Sequence, residues 1–348
     1  MNPAPSRLAP LFVPRIWGAR SLAPLFDLPP GGEPIGEVWL TGESCTFAFG
    51  PLAGQSLGQA WPALSAEWTG TRMQGLPRIP LLLKFLFPED KLSLQVHPGD
   101  EYVRDSEPTA GGVGKTEMWY AVSARAGAEV RLGLEPGVTP ESFRHAVAEG
   151  TAEQCLRRFP VRPDDGFFVP AGAVHTIGAG MVLCEIQQHS HVTYRVFDYG
   201  RLQADGSPRE LHLNQALAVM NFGVQPQGRI DAFSTQRGPL TETFLVACRY
   251  FAVEGWEFSQ DVVATTSPER FELLVILSGG GRIEWGSQSA DYEPAQVWFL
   301  PAALGDYRLA PRLPTTLLHA CVPDLQEYAQ RMADRKILPA DIFKVLHP

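Results

Sequence analysis

Residues 166–180, GFFVPAGAVHTIGAG, and residues 292–304, YEPAQVWFLPAAL, spell one pattern twice. In each, a run of large apolar residues ends in Pro-Ala, at Phe168-Val169-Pro170-Ala171 and at Phe299-Leu300-Pro301-Ala302. Proline cannot donate to a strand ladder, so it marks a strand end in both places. The two stretches read as equivalent positions of two related barrels. They differ in chemistry. His175 follows the first copy closely, whereas the second has Leu304-Gly305-Asp306 there and no histidine-rich set. One barrel is expected to do chemistry and the other to be structural.

The rest of the chain suits that reading. With 33 Gly and 31 Pro in 348 residues, it breaks into short segments, which favours many strands over a helical bundle. Strand-like runs cover residues 80–87, 92–96, 117–122, 166–169, 181–186, 273–277 and 296–300. FELLVILSGGGRIEW (271–285) reads as strand, glycine turn, strand. Helical spacing covers 139–159, with Thr139 as N-cap, Pro140 at the first helical position and Gly150 splitting the segment. Further helical stretches are 211–219 and 324–333. A polar, aperiodic stretch near 225–240 suggests a boundary between a domain at 1–225, with a helical insert near 139–159, and a second at 240–348.

The composition, 45% hydrophobic and 19% charged, is that of a folded globular protein. A net charge of -9 argues against nucleic acid or an anionic membrane as partner, and leaves a small anion to be bound by local Lys and Arg. Five cysteines without CxxC spacing read as reduced thiols. With no secretory signal and no apolar run near ~20 residues, the expectation is a cytoplasmic protein.

Three segments gather metal-type donors. In LSLQVHPGDEY (92–102), Gln95 and His97 share a strand face. In GKTEMWYAV (114–122), Lys115, Glu117 and Trp119 do the same, and His175 closes the quoted stretch. Two imidazoles, a carboxylate and an amide oxygen suit Zn²⁺ with a position left for water or substrate, though Mn, Fe, Co or Ni accept the same donors. From spacing alone, these residues also read as a turn histidine before Pro98, a strand glutamine and a satisfied core histidine. If Gly178-Ala179-Gly180 turns the chain as a hairpin, Glu185 lies diagonal to His175 on one face. From 183 onward the odd positions become mostly polar, with a bend expected near His189. GGVGKT (111–116) approaches a phosphate loop, but strand-like residues follow it where a helix should open, so nucleotide binding is not expected.

RIWG (15–18), GEVWL (36–40), LLLKF (81–85), LSLQVHPGDEY, GKTEMWY, FFVPAGAVHTIGAG and EIQQHSHVTYRVFDYGR (185–201), in this order, resemble the short bacterial type I phosphomannose isomerases through most of the chain. The resemblance implies a mainly β double cupin, two jelly-roll barrels with a few short helices. It implies a zinc enzyme interconverting mannose 6-phosphate and fructose 6-phosphate through a cis-enediol. Its ligands would be Gln95, His97, Glu117 and His175, with one Zn²⁺ per chain. Lys115, Glu185 and Arg195 fall on active-site positions, and Lys84 with Arg195 on substrate-binding ones. The family usually has Asn-Ser-Asp where this chain has His189-Ser190-His191, which bears on substrate preference. Two alternatives stay open: an isomerase of an unphosphorylated or different aldose, and a non-catalytic, metal-bearing sugar-binding cupin. The partner expected is a small sugar phosphate, and monomer and homodimer are both open.

Overall fold

In the computed structural model, which describes residues 2–27, 32–106, 113–203 and 205–347, strands dominate and the helices are short. The described strands form three sheets. The six-stranded sheet runs in the order Gly166–Val169, Glu117–Ala124, Met181–Gln188, Leu81–Leu86, Ile35–Trp39 and Leu11–Ala19. The five-stranded sheet runs Tyr194–Phe197, Leu94–Val96, His175–Ile177, Glu129–Leu134 and Leu156–Pro160. An eleven-stranded sheet takes the C-terminal strands together with Ser6–Leu8 and Phe47–Phe49.

The six-stranded sheet is the middle layer, and its sequence shows why. Along Leu81–Leu86, the side chains of Leu81, Leu83 and Phe85 join Met118, Tyr120, Cys184 and Ile186 in a core shared with Leu273, Val275, Phe299 and Leu318 of the eleven-stranded sheet. On the opposite face, Leu86, Trp119, Ala121 and Leu183 pack on Val130, Leu132 and Ile177 of the five-stranded sheet. With both faces covered, the strands read as continuous apolar runs. A charge on the inner face, such as Lys84 between Leu83 and Phe85, must find a partner in the lumen. A separate core with Trp256, Leu274, Trp298 and Leu309 fills the second barrel.

The Pro-Ala repeat holds in the structure. Gly166–Val169 and Val297–Leu300 are both strands that stop at a proline, and each pairs with a long antiparallel neighbour. Three local expectations change. The hairpin at 178–180 does not form. His175–Ile177 pairs with Leu94–Val96 and Glu129–Leu134, while Met181–Gln188 pairs with Leu81–Leu86 and Glu117–Ala124. Gly178–Gly180 therefore carries the chain from one sheet to the sheet facing it.

The glycines of 278–281 make no turn. They lie within one strand, Glu272–Trp285, whose register against Asp306–Cys321 slips repeatedly there. A Cβ on Gly279, at φ +83°, would sit 2.2 Å from the Pro314 carbonyl oxygen, so glycine lets the strand bend around the barrel corner.

The helical insert near 139–159 is shorter than its periodicity suggests. Thr139 caps Pro140–Ala148 through the Ser142 N–H, and Gly150 at φ +70° ends it. Leu156–Pro160 is an edge strand on Glu129–Leu134, where Pro160 needs no ladder partner. The stretch 225–240, where a boundary is expected, makes contacts on both sides. Ile230 N–H still donates to the Gly166 carbonyl of the first barrel, and Phe233–Arg237 already pairs with Leu240–Cys248. The other two helices form as Leu213–Val219 and Leu325–Asp334, the latter capped by Asp324.

Candidate metal centre and active-site cavity

His97, Glu117 and His175 converge in the first barrel, each buried, with one donor atom apiece lying within 4.8 Å of the others. Glu117 Oε1 lies 3.7 Å from His97 Nε2 and 3.5 Å from His175 Nε2. Bonds of 2.0–2.2 Å at tetrahedral angles would place donors about 3.3–3.6 Å apart, so the separations fit a common ion. The tautomers fit as well. His97 Nδ1 donates to the Val192 carbonyl at 3.0 Å and His175 Nδ1 to the Ala173 carbonyl at 2.9 Å, which turns both Nε2 lone pairs inward. His97 Nε2 and Glu117 Oε1 are buried without a hydrogen-bond partner, a costly arrangement that a cation would relieve. The Gln95 amide nitrogen lies 3.2 Å from His175 Nε2 while its oxygen accepts from Ser93 Oγ at 3.3 Å, so the side chain stands beside the cluster and a half-turn of the amide presents its oxygen as the fourth donor; Gln95 and His175 are in register on adjoining strands.

The electrostatics agree with a ligand set. Burial, with the Lys115 ammonium and His175 adding to it, holds the His97 imidazole well below its ordinary range, and burial pushes His175 down to about 4. Both rings are neutral, as ligands must be. Burial raises the Glu117 carboxyl to about 7, opposed by Lys115 and reinforced by Glu185.

Beside this cluster lies a cavity of about 620 Å³ whose wall includes Gln95, Lys115, Lys84, Glu185 and Arg195. Strand parity puts these residues there: Lys84 and Glu185 are paired in register, and Glu185 is also opposite Trp119. Lys115 Nζ is 2.8 Å from Glu117 Oε2 and 4.0 Å from Glu185 Oε1, while Lys84 Nζ is 3.2 Å from Glu185 Oε1. Burial alone would raise the Glu185 carboxyl, but Lys115 and Lys84 outweigh it and hold it ionised. Arg195 does not pair with Asp198, which binds Arg201 and Arg209 instead. Its Nη1 donates to the Glu210 carbonyl at 2.9 Å, and its Nε is buried without a partner. Arg209 and His212 line the same cavity.

Of the expected site residues, Lys84, Gln95, Lys115, Glu185 and Arg195 line this space, while His97, Glu117 and His175 are buried beside it. Arg15 and Glu37 line it as well, and these, like Arg209 and His212, sequence reasoning left unassigned. Glu37 accepts Arg15 at 2.9 and 3.1 Å and the Trp39 indole N–H at 2.6 Å, and lies 4.0 Å from Lys84. Burial is overcome by Lys84 and Arg15, and its carboxyl falls to about 2. Their signal was the alternation Arg15–Trp17 and Glu37–Trp39 around apolar neighbours. The altered triplet divides: His189 donates to the Ile79 carbonyl at 2.9 Å, Ser190 to the Val113 carbonyl at 2.8 Å, and His191 stacks on Trp39 with centroids 5.3 Å apart. Neither histidine enters the metal-type cluster. Residues 109–112 of the phosphate-loop-like stretch lie outside the described residues. Residues 113–116 are irregular and lead into the strand Glu117–Ala124, so no helix opens after the lysine.

No protein-family model matches the chain. Among known proteins, the mannose-6-phosphate isomerase ManA of Bacillus subtilis (strain 168) is 34% identical over 315 residues, 89% of this chain and 96% of the relative. The chain belongs to the mannose-6-phosphate isomerase family. A Streptococcus mutans mannose-6-phosphate isomerase is 33% identical over 299 residues, 84% of this chain and 91% of the relative. The crystal structure of the B. subtilis mannose 6-phosphate isomerase superposes with a TM-score of 0.82 at 29% identity, covering 91% of this chain and 99% of the other. A zinc-bound mannose 6-phosphate isomerase shares the fold at 15% identity, with a TM-score of 0.73 over 91% of this chain and 98% of that one. The mainly β cupin fold expected for the family is therefore the fold observed. Among the described residues no helix is long and apolar enough to cross a membrane, and the five cysteines are unbridged.

Proposed function

We propose that this protein interconverts mannose 6-phosphate and fructose 6-phosphate at a zinc site held by Gln95, His97, Glu117 and His175, in the catalytic cupin unit of residues 1–225. Residues 240–348 form the second cupin-like unit. One observation carries the reading: residues that touch the donor cluster, Gln95 and Lys115, also wall the cavity that Lys84, Glu185 and Arg195 share. When bound, zinc supplies a Lewis acid near the sugar's carbonyl and hydroxyl oxygens.

The chain's own groups account for the remaining chemistry. Aldose–ketose isomerisation removes the C2 proton and returns a proton to C1, while the hydroxyl proton passes from O2 to O1 and the charge of the cis-enediolate is held in between. Glu185 is ionised and faces the cavity, which suits the acceptor and donor of that proton. Lys115, 4.0 Å from Glu185, offers an ammonium to the developing oxyanion. Lys84 keeps Glu185 oriented and reaches the same space. At the Arg195 end, Arg209 adds a second guanidinium and His212 a ring N–H, which favours a phosphorylated sugar over a bare one. Phosphate recognition there lets remote binding energy hold C1 and C2 at the reacting groups. The net charge, the free thiols and the sugar-phosphate substrate support a cytoplasmic enzyme with a small-molecule partner.

The test is a coupled assay for fructose 6-phosphate on metal-analysed protein, with mannose 6-phosphate and mannose compared. Turnover confined to the phosphate ester supports the assignment. Turnover of mannose alone, or none in zinc-replete protein, overturns it.

A further inference from the structure

The metal-type cluster lies wholly in the first barrel, yet the second barrel reaches the segment that carries Lys115 and Glu117. We propose that Tyr250, in the second barrel, is a positioning residue: its phenol orients Asp100, which with Gln188 holds the backbone of residues 114–116 and so aims Glu117 and Lys115. The inference rests on the zinc-isomerase reading above, and it gives the metal-free half a task in the reaction.

The bonds run without a gap. Tyr250, in the turn joining Leu240–Cys248 to Ala252–Phe258, donates its O–H to Asp100 Oδ2 at 2.8 Å, and Arg249 stands 3.4 Å from the same oxygen. Asp100 Oδ1 accepts the Gly114 N–H at 2.8 Å and the Gln188 side-chain N–H at 2.9 Å. The Gln188 side-chain Oε1 accepts the Thr116 N–H at 2.8 Å, and the Gln188 backbone N–H donates to the Thr116 carbonyl at 3.1 Å. Lys115 N–H, between them, donates to the Pro98 carbonyl at 2.9 Å. Three successive amides leading into Glu117 are thus tied to Asp100, Pro98 and Gln188, in two different segments of the chain. The approach is close enough that a Cβ on Gly114 would come within 2.6 Å of the Asp100 nitrogen.

The clamp touches every side of the donor cluster. Asp100 lies three residues beyond His97, and Gln188 follows Gln187, the residue in register with Glu117. Thr116 Oγ1 accepts the Ala171 N–H at 3.3 Å, on the loop that leads to His175. A displacement of Asp100 would therefore be felt by the segments of three ligands. Among the described residues, Tyr250 and Arg249 are the two that bring the second barrel to this carboxylate.

A purely adhesive Tyr250 predicts something different from a positioning one, and three variants of the full-length zinc protein separate them. Tyr250→Phe keeps the ring and removes the hydroxyl. Asp100→Asn weakens the clamp directly. Tyr292→Phe removes a hydroxyl that bonds to Thr315 within the second barrel, and serves as the control. Readouts are the zinc dissociation constant by chelator competition, the visible spectrum of the Co²⁺-substituted protein, and kcat and KM for mannose 6-phosphate. For positioning, Tyr250→Phe weakens zinc binding about tenfold, alters the Co²⁺ spectrum and lowers kcat more than it raises KM, whereas Tyr292→Phe changes none of these. Unaltered zinc affinity, spectrum and kcat in Tyr250→Phe overturn the proposal, even with a lowered melting temperature. Should Asp100→Asn fail to fold, Tyr250→Phe decides alone. If the wild-type protein binds zinc but isomerises nothing while Tyr250→Phe still loosens the metal, the substrate assignment falls and the positioning role stands.

Discussion

Lys84 and Glu185 face each other on neighbouring strands with Nζ and Oε1 3.2 Å apart, so the lumen of the first barrel holds a buried ion pair at the proposed proton carrier. Together with Lys115, Lys84 holds Glu185 ionised against its burial, and the pair ties its chemistry to a second residue.

Removing Lys84 should move the acid limb of the reaction. The Glu185 carboxyl is held below its ordinary range, so in the wild type it stays ionised as pH falls. In Lys84→Met its pKa rises, and kcat/KM begins to drop at a higher pH. Loss of one partner of a buried pair also costs about 3–5 kcal/mol of stability. A pH–rate profile superimposable on the wild type would remove Lys84 from this role.

For Glu185 itself, Glu185→Gln keeps the shape and removes the base. Turnover should fall by about 10²–10⁴, the usual worth of a positioned acid–base group, with zinc content unchanged. Near-normal kcat in metal-replete Glu185→Gln would rule the residue out as base.

Metal binding should be visible in stability. Zinc at 100 times its dissociation constant stabilises the folded protein by about 2.7 kcal/mol through mass action, raising the melting temperature. His97→Ala and His175→Ala should lose that increment. An undiminished zinc-induced shift in both variants would place the ion elsewhere.

Arg195→Ala should act chiefly on binding. A charge-assisted hydrogen bond is worth about 1.5–3 kcal/mol, so KM for mannose 6-phosphate rises by about tenfold to a hundredfold while kcat changes less. Equal loss with a substrate lacking phosphate would contradict phosphate recognition at this end.

The second barrel offers a pH test of its own. His319, stacked on Trp256, lies 3.1 Å from Glu272 and 3.6 Å from Glu254. Burial would lower its pKa, but the two carboxylates overcome it and raise it to about 10. A histidine raised in the folded state contributes stability that is fully present below pH ~6.5 and is lost as pH climbs toward 10. Urea midpoints of wild type and His319→Gln should therefore differ most at pH 6 and converge by pH 10. A constant difference across that window would show that His319 folds neutral.

Two kinds of information decide this molecule. Period-two alternation, a local property, put Gln95 with His97, Lys115 with Glu117, and Glu185 among inward positions, and proline placed the two strand ends that betray a repeated barrel. Those residues and the fold class were legible in the chain, because strand faces follow from covalent geometry. The partners were not. His175 and Glu185 meet across two facing sheets instead of along a hairpin, since pairing at 178–180 is settled by which strands offer open edges. Leu156–Pro160 became a strand against its helical spacing because Glu129–Leu134 presented such an edge. Lys84 with Glu185, Glu37 with Arg15, and Tyr250 with Asp100 are separated by 101, 22 and 150 positions, and chain closure over such distances leaves no local trace. The sequence by itself determined which side chains turn inward; the packing of three sheets decided which of them touch.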